Sequence, residues 1–150
     1  HTVTLLLAGR PAKVFRADMG FNWVADKRHA GDGATPEGRY RVAARKANGA
    51  SVYYKALLLD YPNAEDRVEF ARARQRGDLP PSAAIGGLIE IHGEGGRGHD
   101  WTRGCVAVTN AEMDELFKYV QPGTPVTIVG SDTDGTIADL ARPRDTGIGR

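Results

Sequence analysis

The sequence has one cysteine, Cys105, among 150 residues, so it can form no internal disulfide and no zinc site built from several thiolates. It has no surplus of either charge: 20 Lys and Arg stand against 19 Asp and Glu, a net charge of +1. The arginines are scattered without interleaved aromatics, which leaves no footprint of a nucleic-acid partner. Long apolar runs are missing too. The two longest, Val3 to Ala8 and Ala56 to Leu59, fall far short of the roughly 18 residues that a membrane span needs. No secretory signal series opens the chain, while His1 in place of an initiator Met points to a processed product, so export stays open.

Hydrophobic residues make up 41% and charged residues 26% of the chain, close to the usual shares, which predicts a folded core rather than disorder or a coiled coil. The length fits one domain. Glycine and proline together supply 27 residues, 18% of the chain against roughly 12% in average usage. That surplus predicts many turns and short strands.

Alternating patterns or short apolar runs bounded by turn residues place strands at Val3–Leu7, Ala12–Arg16, Gly38–Ala44, Lys55–Tyr61, Leu88–His92, Cys105–Val108 and Pro125–Val129. Asp32-Gly33 and Thr35-Pro36-Glu37-Gly38 read as turns. A first helix starts at Asn63-Ala64-Glu65-Asp66 and ends with Arg72, Arg74 and Arg76 before Gly77, the charge order that the helix dipole favours. A second starts at Thr109-Asn110-Ala111-Glu112, a capping box, with Met113, Leu116, Phe117 and Val120 as its core stripe and Pro122-Gly123 as its stop. Residues 1–130 read as the domain and 131–150 as a C-terminal tail, with Ile137, Leu140 and Ile148 as its only large apolar residues.

The stretch from Leu88 to Val108 holds two of the four histidines, the cysteine and five glycines. Three chemistries can be written over it. Gly93-Glu94-Gly95-Gly96-Arg97-Gly98 satisfies G-x-G-x-x-G after a strand, but a dinucleotide site needs a helix opening at the last glycines, and His99-Asp100-Trp101-Thr102-Arg103-Gly104 has no helical period. His92, His99, Asp100 and Cys105 could ligate a metal, with His29 as a further donor, although the second cysteine that a zinc deaminase requires is absent. The third chemistry is best supported: Cys105 as a nucleophile, activated by a histidine because a free thiol is mostly protonated at neutral pH. His92, at the end of a strand, is the favoured base over His99, which lies in a glycine-flanked loop. The segment Thr102-Arg103-Gly104-Cys105 would offer successive backbone N–H groups to an oxyanion.

Ile91-His92-Gly93, the glycine-rich spacer, Asp100-Trp101-Thr102-Arg103-Gly104-Cys105-Val106-Ala107-Val108, Asn110, Glu112 and Gly123-Thr124-Pro125-Val126 together resemble the catalytic domain of bacterial L,D-transpeptidases, the YkuD-like family. Thr35-Pro36-Glu37-Gly38 and Tyr61-Pro62-Asn63 resemble two further family segments, so the likeness runs from about Val3 to Val129. It implies a mainly β fold with minor α, an L,D-transpeptidase-like β-sandwich of short mixed strands with one or two short helices. It further implies Cys105 as nucleophile, His92 as base and the Gly93 carbonyl as the group that orients the imidazole, while the reading of the residues themselves gives Thr102, Arg103 and Gly104 as oxyanion-hole and substrate-binding residues.

The implied protein is a monomer in the periplasm or cell envelope. It acts on peptidoglycan stem peptides without metal or organic cofactor, with an envelope protein as a further acceptor. The sequence departs from the family's common S-H-G-C-[IV]-R at Thr102, Arg103 and Ala107. An arginine at position 107 would hold a carboxylate bidentately, and Arg103 is the substitute that the sequence offers.

Overall fold

The computed structural model describes residues 1–47 and 49–130. The expected tail, 131–150, lies outside the described residues. Strands β1 (Thr2–Leu7) and β2 (Arg10–Arg16) form an antiparallel hairpin. Its two-residue turn places Ala8 and Gly9 at φ 51° and 74°, the pair of positive angles that matches the right-handed twist of the strands.

Five further strands make the main sheet: β3 (Gly38–Lys46), β4 (Ala56–Leu59), β5 (Glu90–His92), β6 (Val106–Ala107) and β7 (Pro125–Ile128), in spatial order β6-β5-β4-β3-β7. Every pairing is antiparallel except β5 with β6. Two helices, α1 (Ala64–Arg76) and α2 (Asn110–Tyr119), complete a mainly β fold. Among the described residues, no helix is long and apolar enough to cross a membrane.

Both helices start and stop where their end residues dictate. Asn63 accepts from the Glu65 and Asp66 N–H groups while Asp66 reaches back to the Asn63 N–H, and Gly77 closes α1 at φ 76°. At α2, Thr109 and Glu112 make the reciprocal pair, satisfying N–H groups that the first turn would otherwise leave free. The stripe read for α2 is core: Met113, Leu116 and Val120 are buried, and Phe117 packs at their edge.

The sheet pleat sorts the rest. Val42, Leu57, Leu59, Ile91 and Val106 point to one face and join Leu5 and Phe15 of the hairpin and the α2 stripe in a single core. The other face carries a different row, because residues two apart share a side. Ala107 of β6 lies opposite His92 of β5, His92 opposite Ala56 of β4, and Ala56 opposite Lys46 of β3. A bulge at Ala43 puts Lys46 in that row.

The strand read at Leu88–His92 is shorter than expected. Leu88 is exposed, at φ 56°, and β5 begins only at Glu90. A leucine in this left-handed region costs about 1–2 kcal/mol, and its carbonyl is thereby turned toward the start of β6, where Cys105 lies. The strand read at Cys105–Val108 also contracts, to Val106–Ala107, which leaves Cys105 at its mouth.

Candidate active site

His92 is 1% exposed, and its position follows from β5, which the flanking strands fix in register. Its Nδ1 lies 2.7 Å from the Gly93 carbonyl oxygen. A carbonyl only accepts, so Nδ1 carries the proton and Nε2 keeps the free lone pair. The ring is walled on two sides: Tyr53 stacks on it at 4.1 Å between centroids, and Trp101 meets it edge-on at 5.8 Å. Burial lowers the His92 pKa below its usual 6.5, against the opposing pull of the Gly93 carbonyl and of the Glu90 and Glu94 carboxylates.

Cys105 is half-buried at the start of β6, and the parallel register continues to set it beside Glu90. Its Sγ donates to the Leu88 carbonyl at 3.6 Å. The resting thiol is thus hydrogen-bonded to the turned-out backbone before β5, while the imidazole is held by Gly93. Burial raises the thiol above its usual 9.0; the Glu90 N–H and the Lys27 and Lys46 ammonium groups oppose this, and the Glu90 carboxylate adds to it. Both shifts favour uncharged partners, a thiol and a neutral imidazole. Alkylation of the free protein by iodoacetamide should therefore follow thiolate formation with an apparent pKa above 9.0. A preformed thiolate–imidazolium pair would instead give an inflection below neutrality.

The turn that carries Cys105 is tied by one hydroxyl. Thr102 Oγ1 donates to the Cys105 carbonyl at 2.6 Å and accepts from the Gly104 N–H at 3.2 Å, while the Thr102 N–H donates to the Met19 carbonyl. Two of the four N–H groups expected to face an oxyanion are thus already engaged. Among the described residues, those of Arg103 and Cys105 have no acceptor. Gly104 sits at φ 130°, and a Cβ there would lie 2.6 Å from the Ala34 carbonyl oxygen, so only glycine lets the turn pass.

Several groups in the cradle carried no local signal in the sequence. Asp18, buried after β2, accepts from the Arg97 N–H and the Trp101 Nε1–H, and its backbone exchanges two hydrogen bonds with Ala107. Arg97 in turn lies over the Trp101 ring at 3.6 Å. Lys27, 3% exposed at its side chain, pairs with Asp32 at 2.8 Å and donates to the Ala34 carbonyl behind Gly104. Tyr53 gave no hint of meeting His92.

The remaining sequence candidates separate. The glycine loop 93–98 opens no helix, and α2 begins only at Asn110. Its glycines serve packing instead: a Cβ at Gly95 would lie 2.5 Å from the Ala107 carbonyl carbon, and one at Gly93 would lie 2.5 Å from Asn110 Oδ1. His99 turns to the Arg97 carbonyl, His29 to the Ala30 carbonyl, and Asp100 to the Met19 N–H and to His1. Among the described residues, no three His, Cys, Asp or Glu side chains gather as a metal site requires. Tyr61 is a core residue, its hydroxyl bound to the Ile85 carbonyl.

A family model of the L,D-transpeptidase catalytic domain, YkuD, matches residues 1–128. The chain belongs to this family. It is 32% identical over 109 residues to the Escherichia coli (strain K12) protein named "Putative L,D-transpeptidase YafK", a stretch that covers 68% of this chain and 37% of that protein. The YkuD-family chain therefore spans little more than a third of the length of this curated relative.

Solved structures share its fold. The helical cell shape determining protein Pgp2 from Campylobacter jejuni superposes with a TM-score of 0.62 at 24% identity, over 88% of this chain and 44% of that one. An L,D-transpeptidase from Xylanimonas cellulosilytica does so with a TM-score of 0.53 at 18% identity, over 84% and 54%. The β-rich architecture expected from the sequence is the fold that this YkuD-family chain shares with these structures.

Proposed function

We propose that this YkuD-family domain is a cysteine-dependent L,D-transpeptidase of the cell envelope that acts on peptidoglycan tetrapeptide stems. The observation that carries the reading is the placement of Cys105 at the mouth of β6 beside β5, whose last residue is a His92 with Nε2 free, next to a turn with two unspent N–H groups. Membership of the family supports it.

In the proposed reaction, Cys105 Sγ attacks the carbonyl of the L-centre of meso-diaminopimelate as His92 Nε2 takes the thiol proton. The Arg103 and Cys105 N–H groups receive the oxyanion. Collapse breaks the peptide bond, the D-alanine amine leaves with the proton from His92, and an acyl-thioester remains on Cys105. An amine acceptor, a second stem or an envelope protein, attacks that thioester, passes its proton to His92 and releases the thiol. Gly93 orients the base, and Thr102 and Gly104 shape the turn that presents the oxyanion donors. No step calls for a metal or organic cofactor.

The test is mass spectrometry of products after incubation with purified disaccharide-tetrapeptide. The expected product is a crosslinked dimer lacking one D-alanine. Tripeptide alone would make the protein a carboxypeptidase of the same fold, and unchanged tetrapeptide would overturn the reading.

A further inference from the structure

The sheet face that bears His92 also bears a charged pair that the proposed reaction does not use. Lys46, the last residue of β3, reaches over β4 to Glu90 of β5, with Nζ 2.5 Å from Oε1. The side chain between Lys46 and His92 in the row is Ala56, which is fully buried. Lys46 and His92 are thus two strand spacings apart, about 10 Å at their backbones. Glu90 is buried, but the Lys46 side chain keeps 28% of its surface exposed. An ammonium has three donors, and Glu90 engages one of them, so the carboxylate fixes where the cation stands without saturating it.

The other cations near the thiol are placed differently. Lys27 is spent on Asp32 and the Ala34 carbonyl, and Arg97 lies on Trp101. Position 107, where the family's common form has arginine, holds an alanine with no exposed surface, and Asp18 occupies both of its backbone groups. Arg103, the substitute that the sequence offers, is exposed in the turn before Cys105, which leaves Lys46 as the cation held by a carboxylate on the sheet face itself.

We infer that Lys46, held in place by Glu90, is the residue that recognises a carboxylate of the substrate on the sheet face beside Cys105. This rests on the proposed function for the identity of the substrate. Two carboxylates lie within reach of the scissile carbonyl of such a stem: that of the terminal D-alanine and that at the far end of the diaminopimelate side chain. Both present the same chemistry to an ammonium.

The experiment compares kcat and KM on three disaccharide-tetrapeptides: the free acid, the terminal carboxamide, and the side-chain carboxamide. The wild-type protein should prefer the free acid about 10- to 100-fold over one of the two amides, the range for a hydrogen bond to a charged group, and the disfavoured amide identifies the carboxylate. Lys46→Met should lose that preference through KM and match the wild type on the disfavoured amide, and Lys46→Arg should keep it. Because Lys46→Met leaves Glu90 buried and unpaired, Lys46→Met/Glu90→Gln is measured beside it, with the same loss expected.

Wild-type indifference to both amides overturns the inference. So does a preference that survives in Lys46→Met and in the double variant, or one that Arg103→Ala erases in place of Lys46→Met. If the wild-type protein turns over none of the three stems, the proposed function fails and the inference fails with it.

Discussion

Cys105→Ala is expected to lower turnover of disaccharide-tetrapeptide by at least about 10³-fold while leaving the protein folded. The loss is large because the sulfur is the atom that forms the proposed thioester, and alanine has nothing to take its place. The fold should survive because the thiol contributes one long hydrogen bond, 3.6 Å to the Leu88 carbonyl, at the mouth of a two-residue strand. Its removal should change stability by no more than about 1 kcal/mol. Circular dichroism and a urea titration check the fold, and product analysis checks the turnover. A folded variant that still releases D-alanine at the wild-type rate would remove Cys105 from the reaction.

Asp32→Ala should give the largest loss of stability among single substitutions around the site. The Asp32 carboxylate accepts four hydrogen bonds: from Lys27 Nζ at 2.8 Å and the Ala34 N–H at 3.1 Å on one oxygen, and from the Arg28 and His29 N–H groups at 2.6 and 2.9 Å on the other. Alanine would leave a lysine with 3% side-chain exposure unpaired. Breaking such a buried pair from one side costs about 3–5 kcal/mol, a large share of the roughly 5–15 kcal/mol that holds a domain together. The urea midpoint should fall accordingly, and a loss below about 1 kcal/mol would show that Lys27 finds another partner.

The effect of Asp32 should depend on pH with a definite sign. Burial pushes its carboxyl up, but Lys27 and the three N–H groups together hold the pKa below the usual 3.8. A depressed carboxyl contributes its stability above the unfolded pKa and loses it as pH falls through the folded one. The gap between wild type and Asp32→Ala should therefore be full at neutral pH and close only below pH 3.8. Activity should fall along with stability, because the Ala34 carbonyl that Lys27 holds is the wall behind Gly104 and Cys105.

Both helices, the strands and the His-Gly and Gly-Cys pairs were legible in the chain because each rests on neighbours in sequence. The Asn63 and Thr109 capping boxes need residues three apart, and a strand's pleat needs residues two apart. Leu88 misled for the same reason: its alternation with Ile89 and Glu90 continues the strand pattern, but the turn before β5 takes it at positive φ into solvent. The N–H groups left for the proposed oxyanion could not be counted from sequence either, since the Thr102 hydroxyl and the Met19 carbonyl engage two of the four.

Local patterning alone thus located both helices and the strands to within a few residues, since periodicity and capping are short-range, and marked Cys105 and His92 as candidates. Tertiary structure alone decided their company. Tyr53 reaches His92, Asp18 reaches Trp101 and Lys46 reaches Glu90 across separations of 39, 83 and 44 residues. Such meetings depend on the parallel pairing of β5 with β6, on the bulge in β3 and on the path of the loop from Gly93 to Gly104. Strand order and loop path are set by the packing of the whole core, whereas the alternation of neighbouring residues fixes only which face of a strand is buried.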